Sequence, residues 1–281
     1  MGGESEAMGL VKQDDGWRLP DELWAKMEPL LPPRPPHPMG CHNPRTPDRR
    51  AMEGILLVLR TGMPWRALKA TGICGPSSAY RRFREWLEAG VFREFWRQGL
   101  LAYEALAGID WEWLAMDGAM GKAPLGGEKT GPNPTDRAKK GTKKSLLTDG
   151  RGVPLGLAVA GANVPDFKQM RSSLQSLPVE RPTPSAHAPQ GMCLDKGYDY
   201  DEVRALAEEY GFTLHLPQRG EPDKPRSAAR RHGAGCWSAP TGGFNKFRRL
   251  LVRWEKREDT YLAMLHLALG IITWFHNLLP S

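Results

Sequence analysis

The chain has 281 residues, with 39 Lys and Arg against 32 Asp and Glu, a formal net charge of +7. At 40% hydrophobic and 25% charged residues it reads as a folded globular protein, which excludes wholesale disorder and collagen-like repeats. Four scattered cysteines (Cys41, Cys74, Cys193, Cys236) form no CxxC pair, so a disulfide scaffold and a zinc knuckle are both excluded and a reducing cytoplasm is expected.

The start of the chain carries no basic stretch followed by an apolar core, so no secretory leader is expected, and residues 1–18 are taken as a flexible N-terminus. A helix opens near Pro20 and Asp21, carries Leu23, Met27, Leu30 and Leu31 at helical spacing, and must stop at Pro32-Pro33. The Pro-rich stretch to Pro47 reads as an extended linker. A second helix covers 50–60 with Met52, Ile55, Leu56 and Leu59 on one side, a turn follows at 62–65, and Pro76 to Ser78 starts a helix that runs to Glu88. Trp65 is expected to pack in the core. A further helix, rich in Phe and Trp, spans about 91–106. The helix beginning near Ser77 carries Arg81, Arg82 and Arg84 beside Tyr80 and Trp86. It fits the recognition helix of a helix-turn-helix, and equally an ordinary amphipathic helix with a charged face.

After Gly108 short strands take over. Residues 111–117 form a strand ending in Asp117, a basic Gly- and Pro-rich loop occupies 126–141, and strands at 144–149 and 153–160 are joined by Asp149-Gly-Arg-Gly152, a hairpin signal. A helix is expected over 166–177, a strand over 191–195 ending in Asp195, a helix over 200–210 and a strand over 212–216. Residues 262–279 are almost entirely apolar, slightly short of the ~20 needed to span a bilayer, and are read as a buried C-terminal helix rather than a membrane segment. A meander followed by helix–strand alternation predicts an α/β fold, a mixed sheet flanked by helices.

Asp117 and Asp195 each end a strand with a glycine close behind. If the two strands are neighbours, the carboxylates converge at one edge of the sheet, where two oxygen ligands suit Mg²⁺. For either aspartate alone, a turn or helix cap is the simpler account. Basic residues crowd at 45–50, 81–84, 137–144, 226–231 and 246–257, which favours a polyanion partner without distinguishing DNA from RNA. The run at 137–144 reads as a flexible phosphate clamp. The dispersed histidines form no HxxxH pair and there is no GxxxxGK[ST] loop, so neither a zinc hydrolase nor an ATP-driven machine is indicated.

Five stretches in order, Leu19-Pro-Asp-Glu-Leu-Trp24 with Pro29-Leu-Leu-Pro-Pro33, Leu59-Arg-Thr-Gly-Met-Pro-Trp-Arg66, Tyr80-Arg-Arg-Phe-Arg-Glu-Trp86, Asp195-Lys-Gly-Tyr-Asp199 and Phe247-Arg-Arg-Leu-Leu-Val-Arg-Trp-Glu255, resemble the insertion-sequence-5 family of DDE transposases over nearly the whole chain. The resemblance implies an RNase H-like catalytic domain (107–281, with C-terminal helices) behind a helical, helix-turn-helix-like DNA-binding module (19–106). It implies three acids holding Mg²⁺ or Mn²⁺, cleavage of element ends, and joining to target DNA. Asp117 matches the first acid and Asp195 the second, with Tyr198 and Asp199 supporting the loop. Residues expected on DNA are Arg81, Arg82, Arg84, Lys139, Lys140, Lys143, Lys144, Arg248 and Arg249. Partners implied are double-stranded DNA, both element ends and target, and a second copy in a homodimer on that DNA. A cytoplasmic, nucleoid-associated protein with no membrane contact is implied.

The third acid departs from the pattern. Counting back from Asn245 it should fall at Ser238, inside a segment whose Pro240 and glycines oppose a helix, and no Asp or Glu occurs between Asp223 and Glu255. If Ser238 is an AGC codon, reading 234–243 with each codon starting one base earlier restores a glutamate; a TCN codon in the gene overturns that explanation. The chain as written is therefore expected to have lost strand cleavage while keeping DNA binding. Glu255, Glu258 and Asp259 match nothing in the pattern. A catalytically dead DNA-binding remnant and a nuclease that cuts without joining are the rival readings.

Overall fold

The computed structural model describes residues 18–33, 45–216 and 240–276. The expected flexible N-terminus up to residue 17, the linker at 34–44, the basic run at 226–231, Ser238 and the helix tail after His276 lie outside the described residues.

The helical part follows from capping and periodicity. Helix α1 (Asp21–Met27) starts behind Pro20, has Asp21 and Glu22 at its positive end, and turns Leu23, Trp24 and Met27 inward. Helix α2 (Asp48–Thr61) buries Met52, Ile55, Leu56 and Leu59 and stops at Gly62, whose φ of 73° lets its N–H reach the Val58 carbonyl at 2.9 Å. A short α3 (Leu68–Thr71) leads to α4 (Pro76–Glu88), which packs on α2, and α5 (Val91–Ala107) follows. Trp65 is half-buried, its ring 5.3 Å from Tyr80 and 5.5 Å from Phe83, as a core-packing residue should be.

The sheet has six strands: β1 (Trp113–Lys122), β2 (Gly131–Pro132), β3 (Lys140–Asp149), β4 (Pro154–Gly161), β5 (Gln190–Cys193) and β6 (Phe212–His215). β3 lies antiparallel to β1, β2 and β4, while β1, β5 and β6 run parallel. The order β4-β3-β1-β5-β6 is the RNase H-like mixed sheet. The β3–β4 hairpin forms where the sequence placed it, because Asp149 Oδ1 accepts the N–H groups of Arg151 and Val153 and closes the turn.

Helices α6 (Met170–Gln175) and α7 (Asp201–Glu209) flank the sheet, α6 against β4 and β3 and α7 against β6. The C-terminal helix α8 (Glu258–His276) lies along α5. Glycines allow the close approach: a Cβ at Gly270 would stand 2.4 Å from the Phe95 ring, and one at Gly99 would stand 3.2 Å from the Trp274 indole nitrogen. Trp96 donates its Nε1–H to the Pro154 carbonyl at 3.1 Å, so α5 is fastened both to the sheet and to α8, and one buried core runs through helices and strands. No helix among the described residues is long and apolar enough to cross a membrane.

Three elements differ from expectation. β1 does not end at Asp117 but continues to Lys122, because β3 keeps pairing with it after β5 has left. β3 begins at Lys140, so the strand expected from Lys144 starts four residues earlier and takes in the last two residues of the expected basic loop. The helix expected over 166–177 is a 3-10 turn (Asp166–Gln169) followed by the short α6.

Candidate active site

β1 and β5 pair in parallel through Trp113–Gly191, Leu114–Met192 and Ala115–Cys193. Two residues past the last pair come Asp117, still on β1, and Asp195, just beyond β5; continuing the parallel register turns both to one face, and the Asp195 carboxylate is near enough to act on Asp117. There the sheet splits. β1 runs on with β3, whereas β5 stops and Asp195 turns the chain, its Oδ1 accepting the Gly197 N–H at 2.8 Å to cap the 3-10 turn Lys196–Tyr198. Asp195 is thus the predicted strand-end acid and a cap at once. Burial first, then the carboxylates of Asp195 and Asp166, push the Asp117 carboxyl above its ordinary value, while the Gly118 N–H opposes the shift.

Asp166, which the sequence reading passed over, stands beside them. A Cβ at Gly118 would fall 1.9 Å from Asp166 Oδ1, so the carboxylate lies directly over the residue next to Asp117. Lys143 pins it, donating to Asp166 Oδ2 at 2.9 Å and to the Val164 carbonyl at 3.0 Å. Asp166 Oδ1 has no partner and is shut off from solvent, as is the hydroxyl of Tyr198, a side chain only 1% exposed. The Tyr198 hydroxyl lies beside Ser145 Oγ, but neither makes a well-aligned hydrogen bond. Burial foremost, then Asp166, Asp195 and Asp117, hold the Tyr198 phenol well above its ordinary value, so it lies within electrostatic reach of the three carboxylates. The signal that marked Asp117 and Asp195, an acid just past a strand, also fits Asp166, five residues after β4 ends at Gly161.

The donor set suits a divalent cation of the Mg²⁺ or Mn²⁺ class. Mg²⁺ is commonly held by one or two carboxylates, with water and phosphate completing its shell. Like-charged carboxylates crowded together gain from a cation between them. Among the described residues no three His, Cys, Asp or Glu side chains come close enough to hold one ion. Asp117 and Asp195 are the pair that could offer carboxylate oxygens to such an ion, since Asp166 is held by Lys143. The later acids are engaged elsewhere: Glu255 accepts from Arg249 at 2.8 Å, and Asp259 pairs with Arg257 and Arg84.

The expected DNA-facing residues divide. Arg81, Lys139, Lys140 and Arg248 are exposed, and Arg84 is partly exposed beside Glu88 and Asp259. Arg82 is turned inward, held by Asp48 at 3.2 Å and Glu85 at 2.8 Å. Lys143 and Lys144, placed by sequence in a flexible clamp, are instead 6% and 4% exposed within β3. Being consecutive in a strand they face opposite sides of the sheet, Lys143 against Val164 and Asp166 and Lys144 under the 244–250 segment. Lys144 donates to the Leu250 carbonyl at 2.9 Å, lies 5.3 Å from the centre of the Phe244 ring, and is pushed down to about 8 by burial. Arg249 is buried against Glu255. Of the supporting pair, Tyr198 is buried as described and Asp199 pairs with Arg204.

Residues 19–96 match the family described as "Putative transposase of IS4/5 family". The "Putative transposase for insertion sequence element IS402" of Burkholderia cepacia is 34% identical over 159 residues, covering 53% of this chain and 70% of that protein. From the same organism, "Insertion element IS402 uncharacterized 16.2 kDa protein" is 41% identical over 120 residues, covering 41% of this chain and 80% of that protein. Among solved structures, a piggyBac transposase synaptic complex with hairpin DNA is 12% identical with a TM-score of 0.42, the match covering 81% of this chain and 65% of that one.

Proposed function

The chain belongs to the IS4/5 family of insertion-element transposases, and on that premise we propose that it recognises the double-stranded ends of its own element and carries a two-aspartate site for cutting and joining DNA strands. The observation that carries the reading is that Asp117 and Asp195 follow the parallel β1–β5 pairing by two residues on each side and lie close enough for the Asp195 carboxylate to act on that of Asp117. A divalent ion held there supplies Lewis-acid activation of the attacking oxygen and stabilisation of the leaving one. Asp117 and Asp195 provide its anionic ligands. Asp195, by capping the turn behind it, keeps its carboxylate fixed in direction.

The helices up to residue 106 serve as the DNA-binding module. Arg81 on the open side of α4 and Lys139, Lys140 and Arg248 contact phosphate, since these side chains are exposed. A homodimer follows from the need to hold two element ends together.

With serine at the position of the third acid, strand cleavage is impaired while DNA binding is retained. A nicking and strand-transfer assay on end-containing duplex with Mg²⁺ or Mn²⁺ tests this. The expected result is binding with cleavage weak, and reduced to background by Asp195→Ala. Robust nicking would remove the claim of impairment, and nicking unaffected by Asp195→Ala would remove the site assignment.

A further inference from the structure

Resting on the reading of Asp117 and Asp195 as a divalent-cation site, we propose that Asp166 is a positioning residue of that site, acting on the bound cation through the cation's water shell.

Four features carry this. The first is enforced proximity: Asp166 Oδ1 occupies the space a side chain at position 118 would need, so Gly118 is what lets a carboxylate settle against the backbone next to Asp117. The second is fixation. Lys143 grips both the Val164 carbonyl and Asp166 Oδ2, and next door the Phe167 ring stacks on Tyr200 with centroids 4.1 Å apart. The segment that delivers the carboxylate is therefore held on both sides.

The third is charge. Asp117, Asp195 and Asp166 lie within electrostatic reach of one another while Lys143 pairs with Asp166, so these four groups together carry a net negative charge that a divalent ion would offset. An aspartate with only a scaffolding role does not need to stand beside two further carboxylates. The fourth is hydrogen-bonding capacity. Asp166 Oδ1 and the Tyr198 hydroxyl are both shut off from bulk solvent and both without a partner in the protein. Together they offer an acceptor and a donor to water bound on the ion.

Direct ligation by Asp166 is not what the geometry offers, since no three acidic side chains among the described residues come within reach of one ion. Outer partners that orient bound groups in this way commonly change metal affinity by ~10- to 100-fold when removed.

The test is a Mn²⁺ titration of the full-length protein, following the electron paramagnetic resonance signal of free Mn²⁺, with circular dichroism as the check on folding. Wild type is expected to bind, and Asp117→Asn to lose binding. Asp166→Asn, nearly equal in shape, is expected to bind roughly 10-fold more weakly with the fold intact. Lys143→Met is expected to weaken binding less than Asp166→Asn, because the lost grip on Asp166 is partly offset by removal of a positive charge beside the carboxylates. Should D166N not fold, Asp166→Ser is read in the same way. Wild-type affinity in a folded D166N overturns the inference. So does equal weakening in D166N and K143M, which marks the pair as scaffolding. If wild type binds no Mn²⁺, or Asp117→Asn leaves binding unchanged, the reading of Asp117 and Asp195 falls instead, and the inference with it.

Discussion

Two of the partly buried charge clusters among the described residues are built on opposite plans. Below the start of α8, Arg249 and Glu255 face each other at 2.8 Å, and Arg253 donates to the Glu255 carbonyl and lies 4.5 Å from the centre of the Tyr261 ring. Arg249 and Glu255 are matched one to one there, and the second guanidinium, Arg253, is held by a backbone carbonyl and a ring face. At the parting of β1 and β5, three carboxylates gather around one lysine. The first arrangement is what a folded chain needs in order to bury charge. The second costs stability and makes sense as a place where a cation binds. Balance is thus a physical criterion separating a structural ion pair from a candidate site, independent of any motif.

Three substitutions sharpen the contrast. In the balanced cluster, Glu255→Ala strands the Arg249 guanidinium in a buried position. A loss of ~3–5 kcal/mol is expected by chemical denaturation. A loss under about 1 kcal/mol would show that solvent reaches this cluster.

Between the two clusters, Lys144 provides a pH readout. Burial lowers its folded-state value from 10.5 to about 8, so between those limits the unfolded chain holds a proton that the folded one has released. Stability therefore rises with pH across that window, by on the order of 3 kcal/mol at ~1.4 kcal/mol per unit. Below pH 8 both states are protonated and Lys144 contributes no slope. Lys144→Met should flatten the rise in a pH series of urea melts, and an unchanged slope would contradict the burial.

In the unbalanced cluster, Asp117→Asn should be mildly stabilising. A folded-state value above the unfolded one means that stability is fully present below the unfolded value and is lost as pH rises through the folded one. Removing the charge recovers that loss near neutral pH, a gain under about 1 kcal/mol after solvent screening. The melting temperature at pH 7 against pH 4 measures it. A clear drop in stability at pH 7 would mean that Asp117 is structural.

Local chemistry made most elements readable. Gly62 ending α2, the Asp149 turn and the Phe- and Trp-rich α5 form close to where the sequence puts them, because caps, turns and apolar spacing act over a few residues. Asp117 and Asp195 were readable for the same reason, each lying near the end of a short apolar run. Residues 118–122 and 140–144 were not, since Gly-Ala-Met-Gly-Lys and Lys-Gly-Thr-Lys-Lys have little strand character of their own. They become strand because each is the other's antiparallel partner, with β4 on the far side. Segments packed on the two faces of that sheet, at 164–166 and 244–250, enclose Lys143 and Lys144, which as a bare sequence look like a solvated basic run.

The sequence by itself determined most of the turns and helices and singled out Asp117 and Asp195, because these depend on neighbours a few residues away. Only the tertiary structure decided that Asp166 joins them, that Arg82, Lys143, Lys144 and Arg249 face inward, and that Arg81, Lys139, Lys140 and Arg248 face out. Burial and charge balance are set by segments far apart in the chain that meet only on folding, and no local pattern records them.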